Sequence, residues 1–456
     1  MNNEAVFPRN FLKSYPQATR AEGCFVYTAE GRRYLDASGG AAVVTIGHGV
    51  ETVARAMADQ AARLAYVHSS QLHNAPAEKL AQRILALAPH RMRLNGRVYF
   101  TSGGSEATET ALKLARQYWL ERGNKKRTRV IARRQSYHGS TLGALSVSGN
   151  VRRREPFAPL LSEWGHAAAC FCYRCPFDLR YPECNVDCAD DLERLLARDG
   201  SDDVAAFIVE PVSGATLGAV VPPDGYLQRI AEICHRQEIL LIADEIMTGM
   251  GRTGKAFAVE HWGVVPDMIL VGKGVASGYA PLGAVIVSGQ VVESISHGSG
   301  SFLHGFTYNS HPVSTAAGNA VLDYIEREKL FARVEPAGKE LSAALKPLKR
   351  FSVVGDIRGI GLLWGIELVR DSKTREPFPA DARIASRIAD DALESGVMTY
   401  PIQGCFDGDR GDHILLAPPF TITSGMIQML ASALDHSIAD FEKAHLASTG
   451  GSPARA

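Results

Sequence analysis

Three short segments of this 456-residue chain carry residue types that do chemistry. The first is Thr101-Ser102-Gly103-Gly104-Ser105-Glu106-Ala107. It follows the apolar stretch Val98–Phe100 and opens a helical pattern running to about Arg122, with Gly123 as its stop. A strand, a turn of small residues and a helix N-terminus aim free N–H groups and the helix dipole at one point, which makes an anion site. The same pattern also serves as a plain N-cap with glycines for the turn. The second segment is Leu240-Leu241-Ile242-Ala243-Asp244-Glu245, an acid at the end of a buried strand. Open α/β sheets bind ligands there, although a helix cap or a structural ion pair would look the same. The third is Asp267-Met268-Ile269-Leu270-Val271-Gly272-Lys273-Gly274. Most lysines sit on solvated faces. One held in a desolvated pocket has a lowered pKa and acts as a Schiff-base nucleophile.

The elements that must position these groups are read from hydrophobic spacing. Val53–Leu64 and Ala77–Ala88 have helical periodicity. Val98–Phe100, Val130–Ala132, Ala206–Val209, Leu240–Ala243, Met268–Val271 and Ala284–Val287 are short apolar runs without alternation. Such runs separated by helices predict a largely parallel sheet covered on both faces. Residues 1–50 read as short strands, with Cys24–Thr28 and Arg33–Asp36 flanking Glu30-Gly31 like a hairpin, and contribute to a small domain and the pocket. Residues 51–310 form the large domain. Residues 311–445 form the C-terminal part of the small domain, from the Ala-rich helix Val313–Glu328 to an amphipathic helix capped by Thr423. Residues 446–456 read as a mobile tail.

Composition narrows the function classes. Lys plus Arg number 49 and so do Asp plus Glu. A nucleic-acid binder would show a basic excess, and an acidic disordered chain the opposite. No apolar run reaches the ~18 residues of a membrane span. The start, MNNEAVFPRNF, lacks a secretory signal pattern. The expectation is a cytoplasmic enzyme acting on small molecules, with neither membrane nor nucleic-acid partners. A phosphate cradle, a buried carboxylate and a strand-end lysine are the set that pyridoxal phosphate chemistry needs: an anchor, a partner for the pyridine nitrogen, and an amine to hold the cofactor.

Further motifs stand in order along the chain: SGGSEATETALKLAR, Tyr137-His138-Gly139, Glu210-Pro211-Val212, ADEIMTGMGRTG, Lys273, His304-Gly305-Phe306-Thr307-Tyr308, and Gly411-Asp412-His413 before Ala417-Pro418-Pro419. In these the chain resembles, over roughly residues 10 to 445, the class III (ω-amino acid type) aminotransferases of the fold-type I pyridoxal phosphate superfamily. The resemblance implies an α/β fold with a mostly parallel central sheet, helices on both faces, and a smaller α+β domain built from both termini. It implies a homodimer with shared sites. It assigns Lys273 and Asp244 to catalysis, and Gly103, Gly104, Ser105, Tyr137, His138, Glu210, Ile246 and Thr307 to the pyridoxal 5'-phosphate cofactor. Tyr137 stacks on the ring, and Thr307 reaches the phosphate of the partner subunit. The implied reaction moves an amino group from an amine or amino acid to a 2-oxo acid or aldehyde by a ping-pong route, with Lys273 as general base and acid. Aminomutases, racemases and decarboxylating members of the family use the same Lys273 and Asp244.

Departures from the family pattern narrow the acceptor. The arginine that ornithine and γ-aminobutyrate enzymes place before Pro-Pro, pairing with the strand-end glutamate, is Leu415 here. Amine:pyruvate members place a mobile arginine a few residues before Gly-Asp-His; Arg410, directly before Gly411 and so not at the same spacing, is the nearest candidate, and an exposed loop arginine would look the same. Their pocket tryptophan falls at about Ala42, and the frequent glutamine after Asp-Glu-Val is Met247. Without a second cation, the second carboxylate of 2-oxoglutarate would be buried unpaired, so pyruvate is the expected acceptor.

Two patterns stand apart. Cys172, Cys175, Cys184 and Cys188 have spacing that zinc, disulfides or free thiols would all accept, and the catalytic site needs no metal. Gly249-Met250-Gly251-Arg252-Thr253-Gly254 fits G-x-G-x-x-G, which would suit an NAD-dependent oxidoreductase. No helix start comes after it, however, and no acid stands at the required distance.

Overall fold

Unbroken buried runs build the centre of the protein. Val204–Val209, Leu240–Asp244, Met268–Val271 and Gly283–Val287 are buried at every residue. Strands covered on both faces have no solvent side on which to place polar residues. The computed structural model describes residues 5–449. In it these runs join a seven-stranded sheet of β1 (Arg97–Thr101), β2 (Arg129–Arg133), β3 (His166–Ala167), β4 (Val204–Val209), β5 (Leu240–Asp244), β6 (Met268–Val271) and β7 (Gly283–Val287). The order across the sheet is β1-β7-β6-β5-β4-β2-β3. Pairings from β3 to β6 are parallel, and β7 alone runs antiparallel to both neighbours. Each of the six strands expected from the apolar runs is present. The two-residue β3 is too short to leave a pattern.

Helix α1 (Gly104–Glu121) continues directly from β1 and lays Ala107, Ala111, Leu114, Ala115 and Tyr118 on the sheet. Two four-stranded sheets flank this centre. One holds Ala18–Glu22, Phe25–Thr28 and Arg33–Asp36, with Val397–Met398 added in parallel as Val397↔Leu35. The two ends of the chain therefore share one sheet. The other is antiparallel and contains Val354–Ile360, Leu363–Leu368, Tyr400–Gln403 and Asp412–Leu416. The last helix, Ser424–Thr449, starts after Thr423, whose hydroxyl accepts from the Met426 amide at 3.4 Å. It runs past the expected start of the tail at 446, and residues 450–456 of that tail lie outside the described residues. No described helix is long and apolar enough to cross a membrane.

The G-x-G-x-x-G segment is a turn with a packing role. The short 3-10 helix Ala258–Trp262 comes after it, and its arginine points inward. Arg252 is 1% exposed and donates to the carbonyls of Leu362 (3.2 Å), Pro418 and Val44 (3.2 Å). One guanidinium thus ties the central region to both flanking segments. Replacing it by leucine leaves buried carbonyls unpaired. Arg252→Leu is expected to lower unfolding stability by about 2–4 kcal/mol, read by denaturant titration.

Candidate active site at the ends of the parallel strands

In a parallel sheet, the segments leaving the strands emerge together at one edge. Here the C-terminal ends of β1, β2, β4, β5 and β6 deliver, in turn, Ser102–Ser105, Tyr137–His138, Glu210, Asp244 and Lys273. The predicted cofactor and catalytic residues on these strand ends therefore converge, while Thr307 lies on none of these segments. A cleft of about 1250 Å³ lined by Arg91, Tyr118, Asp267 and Gln290 holds none of these groups; its Asp267 precedes β6, at the opposite edge.

The phosphate-loop candidate is an uncapped helix end. Gly103 precedes the 18-residue α1 with extended backbone and supplies no side-chain cap. Its first-turn amides are left for an anion. The loop is held from its flanks. Ser102 N donates to Glu106 Oε2 at 2.8 Å, and Ser140 N donates to Ser105 Oγ at 3.0 Å. Ile246 closes one side, since a Cβ at Gly104 would stand 2.8 Å from its Cδ1. A Cβ at Gly283, on β7, would stand 2.7 Å from the Gly103 carbonyl oxygen. Both positions need glycine for close approach rather than for torsional freedom.

Next to this loop lies a buried charge network. Asp244, 5% exposed, sits 2.7 Å from His138 Nδ1 through Oδ2, while Oδ1 accepts from Ile246 N at 3.1 Å. His138 is 1% exposed. Glu210 is 7% exposed, and burial raises its pKa against the opposing His138 and Arg133 charges. The expectation from Leu415 was a Glu210 without its usual arginine. Leu415 is indeed buried in the apolar core. An arginine is nevertheless present: Arg133, the last residue of β2, places Nη2 3.6 Å from Glu210 Oε2 and donates to the Glu210 carbonyl at 2.7 Å. Its sequence signal resembles that of Asp244, a charge closing a buried apolar strand.

Lys273 lies just beyond β6 with a left-handed backbone, φ 44°. Side chains other than glycine seldom adopt this, and such strain gathers at functional sites. Burial pulls its amine down to about 8, with Asp244 and Glu210 resisting and the Arg252 and Arg153 charges adding to the fall. A sizeable neutral fraction is therefore available near neutral pH.

The rim is more varied. The Tyr137 hydroxyl is 2.8 Å from Ser140 Oγ, and the Arg153 guanidinium lies over its ring, 4.3 Å from the centroid. The sequence alone gives Arg153 no role, because it sits in a basic run, Arg152-Arg153-Arg154, that looks like a solvated face. Arg410 is exposed, and its Nε is 2.8 Å from Asp407 Oδ2. Ala42, at the position of the family's pocket tryptophan, lies in a left-handed turn (φ 62°) and is 2% exposed within the main apolar cluster. Its methyl presents almost no surface to a substrate in the protomer. The Met247 sulfur packs on Gly214. Thr307 is exposed, and its carbonyl accepts from Tyr66 at 2.8 Å. Asp412 and His413 are buried and take structural bonds, to Ala385 N (2.9 Å) and the Ala215 carbonyl (2.8 Å). All eight cysteines are free, and no group of three or more metal-ligating side chains is arranged for an ion among the described residues.

Known proteins carry the same arrangement at the level of family and fold. The aminotransferase class-III family matches residues 7–438. The uncharacterized aminotransferase YodT of Bacillus subtilis is 39% identical over 94% of this chain and 96% of its own length. The putrescine–pyruvate aminotransferase of Pseudomonas aeruginosa is 34% identical over 90% of this chain and 88% of its own. An amine transaminase from an uncultivated Pseudomonas species, solved in its PLP-bound form, superposes with a TM-score of 0.89 at 37% identity, covering 96% of this chain and 98% of that one.

The low Lys273 pKa has a direct readout. Only a neutral amine attacks an aldehyde. Capture of pyridoxal phosphate by cofactor-free protein, monitored by absorbance, is expected to rise with pH through a midpoint near 8. An unperturbed lysine would give a midpoint about 10.4.

Proposed function

The chain belongs to the class III aminotransferases, whose cofactor is pyridoxal 5'-phosphate, and on that premise we propose that it moves an amino group from a primary amine or amino acid to a small 2-oxo acid, pyruvate before 2-oxoglutarate. The observation that carries the reading is Lys273 at a strand end, its pKa drawn to about 8, beside the buried carboxylates of Asp244 and Glu210.

The residues suit the cofactor. The uncapped end of α1, with Gly103, Gly104 and Ser105, accepts its phosphate. Asp244 offers a carboxylate to the pyridine nitrogen, and His138 holds that carboxylate in place. Tyr137 and Ile246 supply the apolar walls. When bound, the cofactor supplies an aromatic ring that draws electrons from the carbon bearing the amine. Lys273 as its neutral amine would take a proton from that carbon and, as the ammonium, would give it up on the cofactor side rather than back to the same carbon. A pKa of about 8 makes both forms accessible near neutral pH. Low exposure of Asp244, His138 and Glu210 keeps water from competing for their bonds.

Leu415 supports the acceptor preference: the apolar side chain buried there offers no second cation to a dicarboxylate. The Pseudomonas aeruginosa relative, named for putrescine and pyruvate, supports it as well. The reading includes a homodimer in which Thr307 serves the phosphate site of the partner. Its support is the exposure of the 303–308 segment, where Leu303 is 88% and Tyr308 60% accessible; apolar side chains so placed call for a covering surface. A cytoplasmic setting fits eight free cysteines.

An amine-donor screen with pyruvate and 2-oxoglutarate as separate acceptors tests the function. Alanine formation is expected, with kcat/KM for pyruvate at least about tenfold above that for 2-oxoglutarate. Inversion of a chiral amine without acceptor, or release of carbon dioxide, would instead mark a racemase or a decarboxylating enzyme. Lys273→Ala is expected to abolish turnover, and sedimentation is expected to show a dimer.

A further inference from the structure

Pyruvate and amino acid donors bring a carboxylate into the site, and some cation must meet it. Arg410 was the candidate on the C-terminal segment. Its Nε is engaged with Asp407 Oδ2 at 2.8 Å, and its backbone amide donates to Asp407 Oδ1 at 2.7 Å, so the residue is folded onto its own exposed turn. The strand-end arginine, Arg133, is 1% exposed beneath Glu210 and out of reach of a substrate.

We infer that Arg153 is the specificity residue that reads the substrate carboxylate in this site. The inference rests on the aminotransferase reading above and assigns its carboxylate subsite. Three observations converge on Arg153. Its guanidinium lies over the ring of Tyr137, 4.3 Å from the centroid, and Tyr137 stands directly before the Asp244 partner His138. It pairs with no carboxylate among the described residues, unlike Arg410. It is partly buried, so it is less well hydrated than a surface arginine and gains more from a ligand carboxylate.

The short helix that carries it, α2 (Val151–Arg154), is held firmly. Asn150 caps it by accepting from Arg153 N at 3.1 Å. Arg152, on the neighbouring position, bonds Gln403 Oε1 at 2.5 Å, and Gly408 sits so close that a Cβ there would come within 2.7 Å of Val151. The loop that carries Arg410 is therefore the support beneath α2, while Arg153 faces Tyr137. The Arg153 charge is felt at Lys273, where it disfavours the ammonium form, so the two groups share one electrostatic neighbourhood. A planar guanidinium backed by an aromatic ring keeps its hydrogen-bonding edge free for a bidentate carboxylate.

The test compares carboxylated and carboxylate-free ligands on the holoenzyme. Arg153→Gln is expected to raise KM for pyruvate, and Kd for the non-reacting carboxylate propanoate by calorimetry, about ten- to a hundredfold. The half-reaction with benzylamine, which brings no carboxylate, is expected to slow at least about tenfold less than KM for pyruvate rises, as monitored by cofactor absorbance. Arg153→Lys is expected to recover part of the loss, since it restores the charge without the fork. Arg410→Gln is expected to move none of these quantities. Equal losses with benzylamine and pyruvate, or a carboxylate-selective loss in Arg410→Gln, would overturn the inference while leaving the aminotransferase reading intact. A wild-type enzyme that runs no half-reaction with any amine would overturn that reading and the inference together.

Discussion

A carboxylate that has given up its water must be held by something else, and Asp244 is held by His138. The 2.7 Å contact joins the end of β5 to the loop after β2, two strands that are not neighbours in the sheet. Other parts of the site depend on it. The loop containing His138 donates from Ser140 N to Ser105 and accepts, through the His138 carbonyl, from Thr108 on α1. The acid, the ring of Tyr137 and the N-terminus of α1 are thus positioned by one segment. A buried polar network of this kind is costly when half-satisfied and specifying when complete.

Around that pair the charges are arranged to be felt rather than screened. Glu210 and Asp244 sit at neighbouring strand ends, β4 and β5, and Lys273 stands beyond β6 on the far side of Asp244. Protein interiors strengthen every such interaction relative to water. Two acids favour the Lys273 ammonium; burial, Arg252 and Arg153 oppose it, and the balance leaves the amine at about 8. Arg133 keeps Glu210 from standing as an uncompensated buried charge. The site is therefore tuned by residues from β2, β4, β5, the segment after β6, and α2.

The parts legible in the sequence were those where one local pattern decides the outcome. An apolar run without polar alternation ends in glycine, acid or lysine, and this announced β5 with Asp244 and β6 with Lys273. The start of α1 was legible because small residues and an acid in the first turn mark a helix beginning. Features that depend on strand order were not. The Arg133–Glu210 contact exists because β2 and β4 are neighbours, a fact about residues 77 positions apart. The strand Ala18–Glu22 is exposed and polar, and it forms only because Phe25–Thr28 lies beside it. Arg153 was hidden by its own neighbours: in a run of three arginines, sequence cannot say which one turns toward Tyr137. The G-x-G-x-x-G pattern shows the converse, since a motif that elsewhere precedes a helix here shapes a turn around a buried arginine.

Beside the buried side-chain network, the loop at the start of α1 presents mainly peptide groups. Gly283 on β7 backs the Gly103 carbonyl, and Gly104 lies against Ile246 with no room for a methyl between them. A surface made of backbone carries the same chemistry whatever neighbouring side chains become, and it changes only when the fold changes. The rim is built the opposite way, from Tyr137, Arg153 and the loop bearing Arg410, where a single substitution alters charge or shape at little cost to the core. The site thereby joins a backbone surface that tolerates no added methyl to a side-chain rim that is open to substitution.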